Sequence, residues 1–168
     1  MTPPTGPGPR ARLVAFLGVW LVALAWLSAD LASKAWALEA LAAGEREVLS
    51  GVLWFNLTRN PGAAFGLFPG GRPLFIAVTA VLIGVGAVAP FLFETRSLGP
   101  GHVGLGLLVG GGMGNLYDRV FRDGLVVDFI DVRIWPVFNL ADVGIVTGTG
   151  LVLLYLVTRV LRPGVGSG

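Results

Sequence analysis

Two aspartates, Asp128 in VVDF and Asp142 in FNLAD, flank one connecting stretch of this chain, and Asn60, Asn115, Asn139 and Arg119 are available to surround them. Carboxyl groups held close together cannot both ionise, so they share a proton near neutral pH. One then serves as general base on a water, and the other as general acid toward a carbonyl and its leaving amine. That is aspartyl-protease chemistry, and it needs no metal, no cofactor and no covalent intermediate. The composition removes most alternatives. There is no Cys, hence no thiol nucleophile, disulfide or cysteine metal site, and His102 is the single His. A Ser-Lys pair would need Ser28 or Ser33 with Lys34. Ser33 is the sequence neighbour of Lys34 and points elsewhere on a helix. Asp30, four residues earlier, would also keep Lys34 protonated and unfit as a base.

Each polar group also has a plainer reading. Asp30 and Lys34 form an i,i+4 ion pair that neutralises two costly charges. Asn60-Pro61-Gly62 makes a turn, although an Asn amide beside a glycine backbone can also hold an extended peptide. Asn115, Asp118 and Arg119 share one helix face at i, i+3 and i+4. Asp118, held ionised by Arg119, suits a scaffold better than proton transfer. Asp128 is an acid between large apolar neighbours, where burial raises the pKa, or else belongs with Asp131 to the polar face of a strand. Asn139 reads as a helix N-cap with Asp142 in the first turn. The residues alone do not decide between Asp118 and Asp128 as partner of Asp142.

The elements that must position these groups are apolar. The chain has 168 residues, 54% hydrophobic and 13% charged, with 26 glycines. Soluble domains carry about 25% charged residues, so the composition points to a membrane protein and away from disorder. Four apolar runs, about 13–34, 73–93, 103–121 and 141–161, are long enough to cross a bilayer. They form one domain over 13–162, between a Pro/Gly-rich tail at 1–12 and a short tail at 163–168. The first run exceeds the usual length of a signal-peptide core, and its helical pattern continues through Asp30, Lys34 and Trp36. Gly106, Gly110 and Gly114, then Gly144 and Gly148, repeat at four-residue spacing, as close helix packing in membranes requires. The connections after the first and third runs contain the β-like stretches VLWFNLTRN and LVVDFIDVRI, which fall on one side. The short link 94–102 and both termini fall on the other. Basic residues occur on both sides, so the positive-inside rule leaves the orientation open. A net charge of +2 gives no case for nucleic acid.

Taken in order, DLASK (30–34), NPGAAF (60–65), GGMGNLYDR (111–119), VVDF (126–129) and FNLAD (138–142) resemble the lipoprotein signal peptidase family, signal peptidase II. The resemblance covers about residues 13–160. It implies a four-helix transmembrane bundle with a small extracytoplasmic β-rich cap, in the bacterial inner membrane, with both termini cytoplasmic. It implies an aspartyl endopeptidase that cuts prolipoproteins before a diacylglyceryl-modified cysteine. The family's catalytic pair falls on Asp128 and Asp142. Its substrate-binding residues fall on Asn60, Gly62, Asn115, Arg119 and Asn139, while Asp30, Lys34 and Asp118 are structural or site-adjacent. The implied partners are lipidated prolipoproteins and membrane lipids, and the chain is expected to be a monomer. Two departures bear on loop shape and substrate preference: Pro61 where a Thr is expected, and a shortened segment from Asp128 to Asp142.

Two rival readings belong to other classes. A four-helix transporter or channel would use the acids to bind a cation or relay protons, but no convincing repeat relates residues 1–84 to 85–168. An assembly protein built on the glycine stripes would tolerate Asp128→Asn and Asp142→Asn.

Overall fold

The structure is a computed structural model and describes residues 8–61, 72–92 and 99–161. It contains four helices, α1 (Pro9–Ala40), α2 (Arg72–Leu92), α3 (Pro100–Phe121) and α4 (Leu140–Val160). Three strands, β1 (Arg46–Leu49), β2 (Leu53–Asn60) and β3 (Val126–Asp131), complete it. Four helices lie where the apolar runs predict them. The first is longer than its run at both ends. Pro9 in the first turn after an extended Gly8 starts it, so residues 9–12 are helical rather than tail. The good helix formers of AWALEA then carry it to Ala40.

α1 and α4 are long and apolar enough to cross a membrane, with mean hydropathies of 2.0 and 1.9 over their best windows, and a shorter apolar stretch spans Ile76–Gly86. α3 matches α4 in length, but its glycines dilute its hydropathy. The outward surfaces of α1 and α4 are apolar: Leu13, Leu17, Leu21 and Leu24 on one, Val146, Leu153, Leu154 and Val157 on the other are all exposed. An apolar exterior around a polar interior is what a lipid solvent demands.

α3 packs against each of the other helices, and its glycines are distributed by partner. Gly106 and Gly110 lie against α1. A Cβ at Gly106 would stand 2.8 Å from the Val19 carbonyl oxygen, and one at Gly110 2.5 Å from that of Ala23. Gly104 lies against Gly148 of α4, and a Cβ on either would meet the other's carbonyl oxygen at 2.8 or 2.5 Å. Neither obstacle is a flexible side-chain end, so the backbones would have to separate. Gly110→Leu is therefore expected to destabilise the protein by roughly 1–3 kcal/mol, measured as a lowered melting temperature in detergent. Gly150→Leu, with nothing within 4 Å of the added Cβ, serves as the silent control. Equal melting temperatures for the two variants would refute the close-packing argument.

The strands form one antiparallel sheet in the order β1-β2-β3. β2 belongs to the α1–α2 connection and β3 to the α3–α4 connection, so the sheet joins the two, as their placement on one side predicts. β1 has no counterpart in the sequence reading. The expected alternation fails in β3, where Val126, Val127, Asp128, Phe129 and Asp131 are all buried. The cause is cover on both faces. Phe129 packs on Ala37 and Leu41 at the end of α1, with Phe55 and Leu57 beside them. The opposite face meets the polar residues described next. Asp128 and Asp131 do not share a polar face, because their odd separation points them apart. Asp131 instead accepts from Asn56 Nδ2 at 3.0 Å and from the Arg133 backbone N–H at 2.8 Å.

Candidate active site

The site assembles where α3, β3 and α4 converge at the end of α1. Pairing of β2 with β3 sets Asn60 opposite Val126 and Thr58 opposite Asp128. Asn60 is thus the diagonal neighbour of Asp128, within side-chain reach, and its Nδ2 donates to Asp128 Oδ2 at 3.0 Å. At the start of α4, Asn139 is the N-cap. Its Oδ1 accepts the Asp142 backbone N–H at 2.9 Å, and Asp142 Oδ2 accepts the Asn139 backbone N–H at 3.2 Å. This reciprocal capping box is dictated by the FNLAD spacing. It leaves the Asn139 amide nitrogen free to turn toward β3, where it donates to Asp128 Oδ1 at 2.6 Å and approaches the Val127 carbonyl at 3.2 Å. One residue therefore holds both carboxyl groups.

Asn115 adds the third side. Its Nδ2 donates to Asp142 Oδ1 at 2.8 Å, while its Oδ1 accepts from Asn139 Nδ2 and from Lys34 Nζ, each at 3.0 Å. Arg119 is buried one turn on, with Nη1 donating to the Asn115 carbonyl at 3.0 Å. Its guanidinium lies within the fields of Asp142, Asp128 and Asp118. Burial pushes the Asp128 carboxyl up to about 6. The nearby Asp142 charge adds to that rise, and the amides of Asn60 and Asn139 oppose it.

Beneath this lies a charged layer. Lys34 Nζ is 2.8 Å from Asp30 Oδ2 and 2.9 Å from Asp118 Oδ2, with all three side chains fully buried. Asp30 Oδ1 accepts the Ala141 backbone N–H at 2.8 Å, tying α1 to the first turn of α4. Asp118 Oδ2 accepts the Val127 backbone N–H at 3.0 Å, tying α3 to β3. The close ion partners of Asp118 are Lys34 and Arg122, not the expected Arg119. Adjacent helical residues point about 100° apart, whereas i,i+4 side chains meet. Ser28 and Ser33 donate to the Leu24 and Asp30 carbonyls, so neither is paired with Lys34 as a nucleophile.

Asp128, Asp142, Asn60, Asn115, Arg119 and Asn139 thus come together, with Asp30, Lys34 and Asp118 directly behind them. Gly62 lies outside the described residues. Trp26 was not singled out from sequence; its Nε1 donates to the Leu140 carbonyl at 3.1 Å and seats the first turn of α4. No local pattern connects positions so far apart in the chain.

Comparison with known proteins gives a consistent picture. A family model described as Signal peptidase (SPase) II matches residues 22–158. A lipoprotein signal peptidase of Halothermothrix orenii is 41% identical over 139 residues, covering 82% of this chain and 94% of the relative. One from Pelotomaculum thermopropionicum is 47% identical over 126 residues, covering 74% and 82%. One from Mycobacterium tuberculosis is 36% identical over 159 residues, covering 90% and 75%. A bacterial membrane enzyme solved by the in meso method superimposes with a TM-score of 0.76 at 28% identity, covering 89% of this chain and 93% of that one. A second such structure gives 0.65 at 29% identity, covering 82% and 91%.

Proposed function

The chain belongs to the signal peptidase II family, and on that premise we propose that it is an aspartyl endopeptidase that removes signal peptides from prolipoproteins by cutting before a diacylglyceryl-modified cysteine. Membership makes it a protease, and its apolar helices suit a membrane enzyme. In this reading all four helices span the bacterial inner membrane, residues 13–162 form one monomeric domain, and both termini are cytoplasmic. The sheet caps the extracytoplasmic end, and the lipidated substrate enters sideways from the bilayer.

The observation that carries the reading is the grip of Asn139 on both carboxyl groups, inside a shell of amide donors. Asp128 is the proton-bearing partner, consistent with its burial. Asp142 sits in the first turn of α4, where the helix dipole favours negative charge. Asp142 then draws a proton from water as it attacks the scissile carbonyl. Asp128 protonates the carbonyl oxygen. As the C–N bond breaks, Asp142 passes the proton it took from water to the departing amine and Asp128 takes back a hydroxyl proton, leaving a carboxylic acid and an amine as products. Arg119 and the asparagines hold the peptide backbone.

The direct test is cleavage of a prolipoprotein by purified protein in detergent with lipid, followed as signal-peptide release on a gel. The substrate carrying diacylglyceryl-cysteine is expected to be cut and its unlipidated counterpart left intact. Ion flux in liposomes without proteolysis would replace this reading with the transporter.

A pH dependence follows from the raised Asp128 carboxyl. A raised group keeps its proton to higher pH and loses it as pH climbs through its pKa. The value of kcat/KM should therefore fall above pH about 6, by roughly tenfold per unit if the proton is essential. In kcat the same limb should move upward, because bound lipid and peptide exclude more water from the carboxyl. A rate that stays flat from about pH 5 to about pH 8 in both parameters would remove Asp128 as the acid.

A further inference from the structure

Lys34 does more than its charge requires. Its ammonium has three N–H donors. Two face the carboxylates of Asp30 and Asp118. The third goes to a neutral group, the Asn115 side-chain oxygen, at 3.0 Å. An Asn amide has an acceptor end and a donor end, and the site could hold it either way round. Lys34 can only donate, so the end of Asn115 that faces it must be oxygen. Asn139 Nδ2 points a second donor at the same atom, also at 3.0 Å. The amino end of Asn115 is thereby turned onto Asp142 Oδ1 at 2.8 Å. The other Asp142 oxygen accepts the Asn139 backbone N–H at 3.2 Å. Asp142 consequently meets donors on both oxygens.

We propose that Lys34 is a positioning residue that fixes the sense of the Asn115 amide, so that the amide's donor end is kept on Asp142 and orients that carboxyl as an acceptor. The inference rests on the reading of Asp128 and Asp142 as the catalytic pair. It assigns a fully buried ammonium a part in orienting the reacting carboxyl, one amide away from it. The ionisable groups facing this relay are Asp30 of α1, Asp118, Arg119 and Arg122 of α3, Asp128 of β3 and Asp142 of α4. α2 has no ionisable side chain beyond Arg72.

The test uses the full chain and a lipidated prolipoprotein, with kcat and KM measured across pH. The double variant Asp30→Asn/Lys34→Met removes the ammonium while leaving Asp118 its Arg122 partner at 2.8 Å. It is expected to melt cooperatively and keep KM within about threefold. Its kcat should fall by at least about tenfold, with a displaced alkaline limb. A folded double variant with wild-type kcat and wild-type limb overturns the proposal. A second variant does not depend on the fate of the first. Asn115→Asp keeps an oxygen for Lys34 but removes the donor to Asp142. Its kcat relative to wild type should rise as pH falls from about 7 to about 5, because the protonated new carboxyl can donate again. A constant ratio overturns the proposal. Asp128→Asn and Asp142→Asn run alongside. If they retain activity, the catalytic pair fails and this inference with it; if they are inactive while the Lys34 and Asn115 variants behave as wild type, the inference alone fails.

Discussion

Asp128→Asn and Asp142→Asn should each leave a folded protein whose cleavage of lipidated prolipoprotein is lower by roughly 10³-fold or more, at the upper end of what general acid–base groups contribute. The fold should survive for local reasons. An asparagine at 128 still offers an acceptor to Asn60 or Asn139, and one at 142 still offers an oxygen to the Asn139 backbone N–H. The chemistry should not survive. An amide neither accepts the proton of the attacking water nor gives one to the carbonyl oxygen. Asp118→Asn separates this from scaffolding. Asp118 bonds Lys34, Arg122 and the Val127 N–H, which occupies it in tying α3 to α1 and β3. That variant should lose melting temperature while its kcat per folded molecule stays within about tenfold of wild type. If Asp118→Asn matched the other two in activity and kept its stability, the assignment of the pair would be wrong.

The sequence made the local parts of this arrangement legible. FNLAD reads as an N-cap with an acid three residues later, and the capping box stands there. DLASK reads as an i,i+4 ion pair, and it is one. The glycine spacing announces close helix contacts, although not which neighbour each glycine meets. Most of the failures have one physical cause, which is that the deciding contacts are nonlocal. Asp128 becomes a partner of Asn60 only because β2 and β3 pair across two connections. The choice of Asp128 over Asp118 therefore could not come from spacing. The partner of Asp118 that sequence proximity suggests, Arg119, is replaced by one residue a turn further on and by Lys34 from another helix. β1 was missed because REVL is short, carries two charges and is exposed throughout, so it has no apolar periodicity to detect. It is a strand because β2 offers it an edge.

Lys34→Met should be the most destabilising single substitution in the buried layer, by roughly 3–5 kcal/mol, because it removes the shared counter-charge of two buried acids. Asp30 and Asp118 are both 0% exposed, and Lys34 lies between them. Without it, Asp118 keeps Arg122 and the Val127 N–H, whereas Asp30 keeps the neutral Ala141 N–H. The damage should therefore fall mainly on Asp30, and neutralising that acid should repair much of it. Asp30→Asn/Lys34→Met is expected to melt above Lys34→Met, since an asparagine oxygen still accepts the Ala141 N–H that ties α1 to α4. The order of the melting temperatures, wild type above the double variant above the single, distinguishes a stranded charge from a lost packing volume. Both variants lose the same lysine volume, so an effect of packing alone would leave them equal, and equality would remove the buried charge from the account of stability.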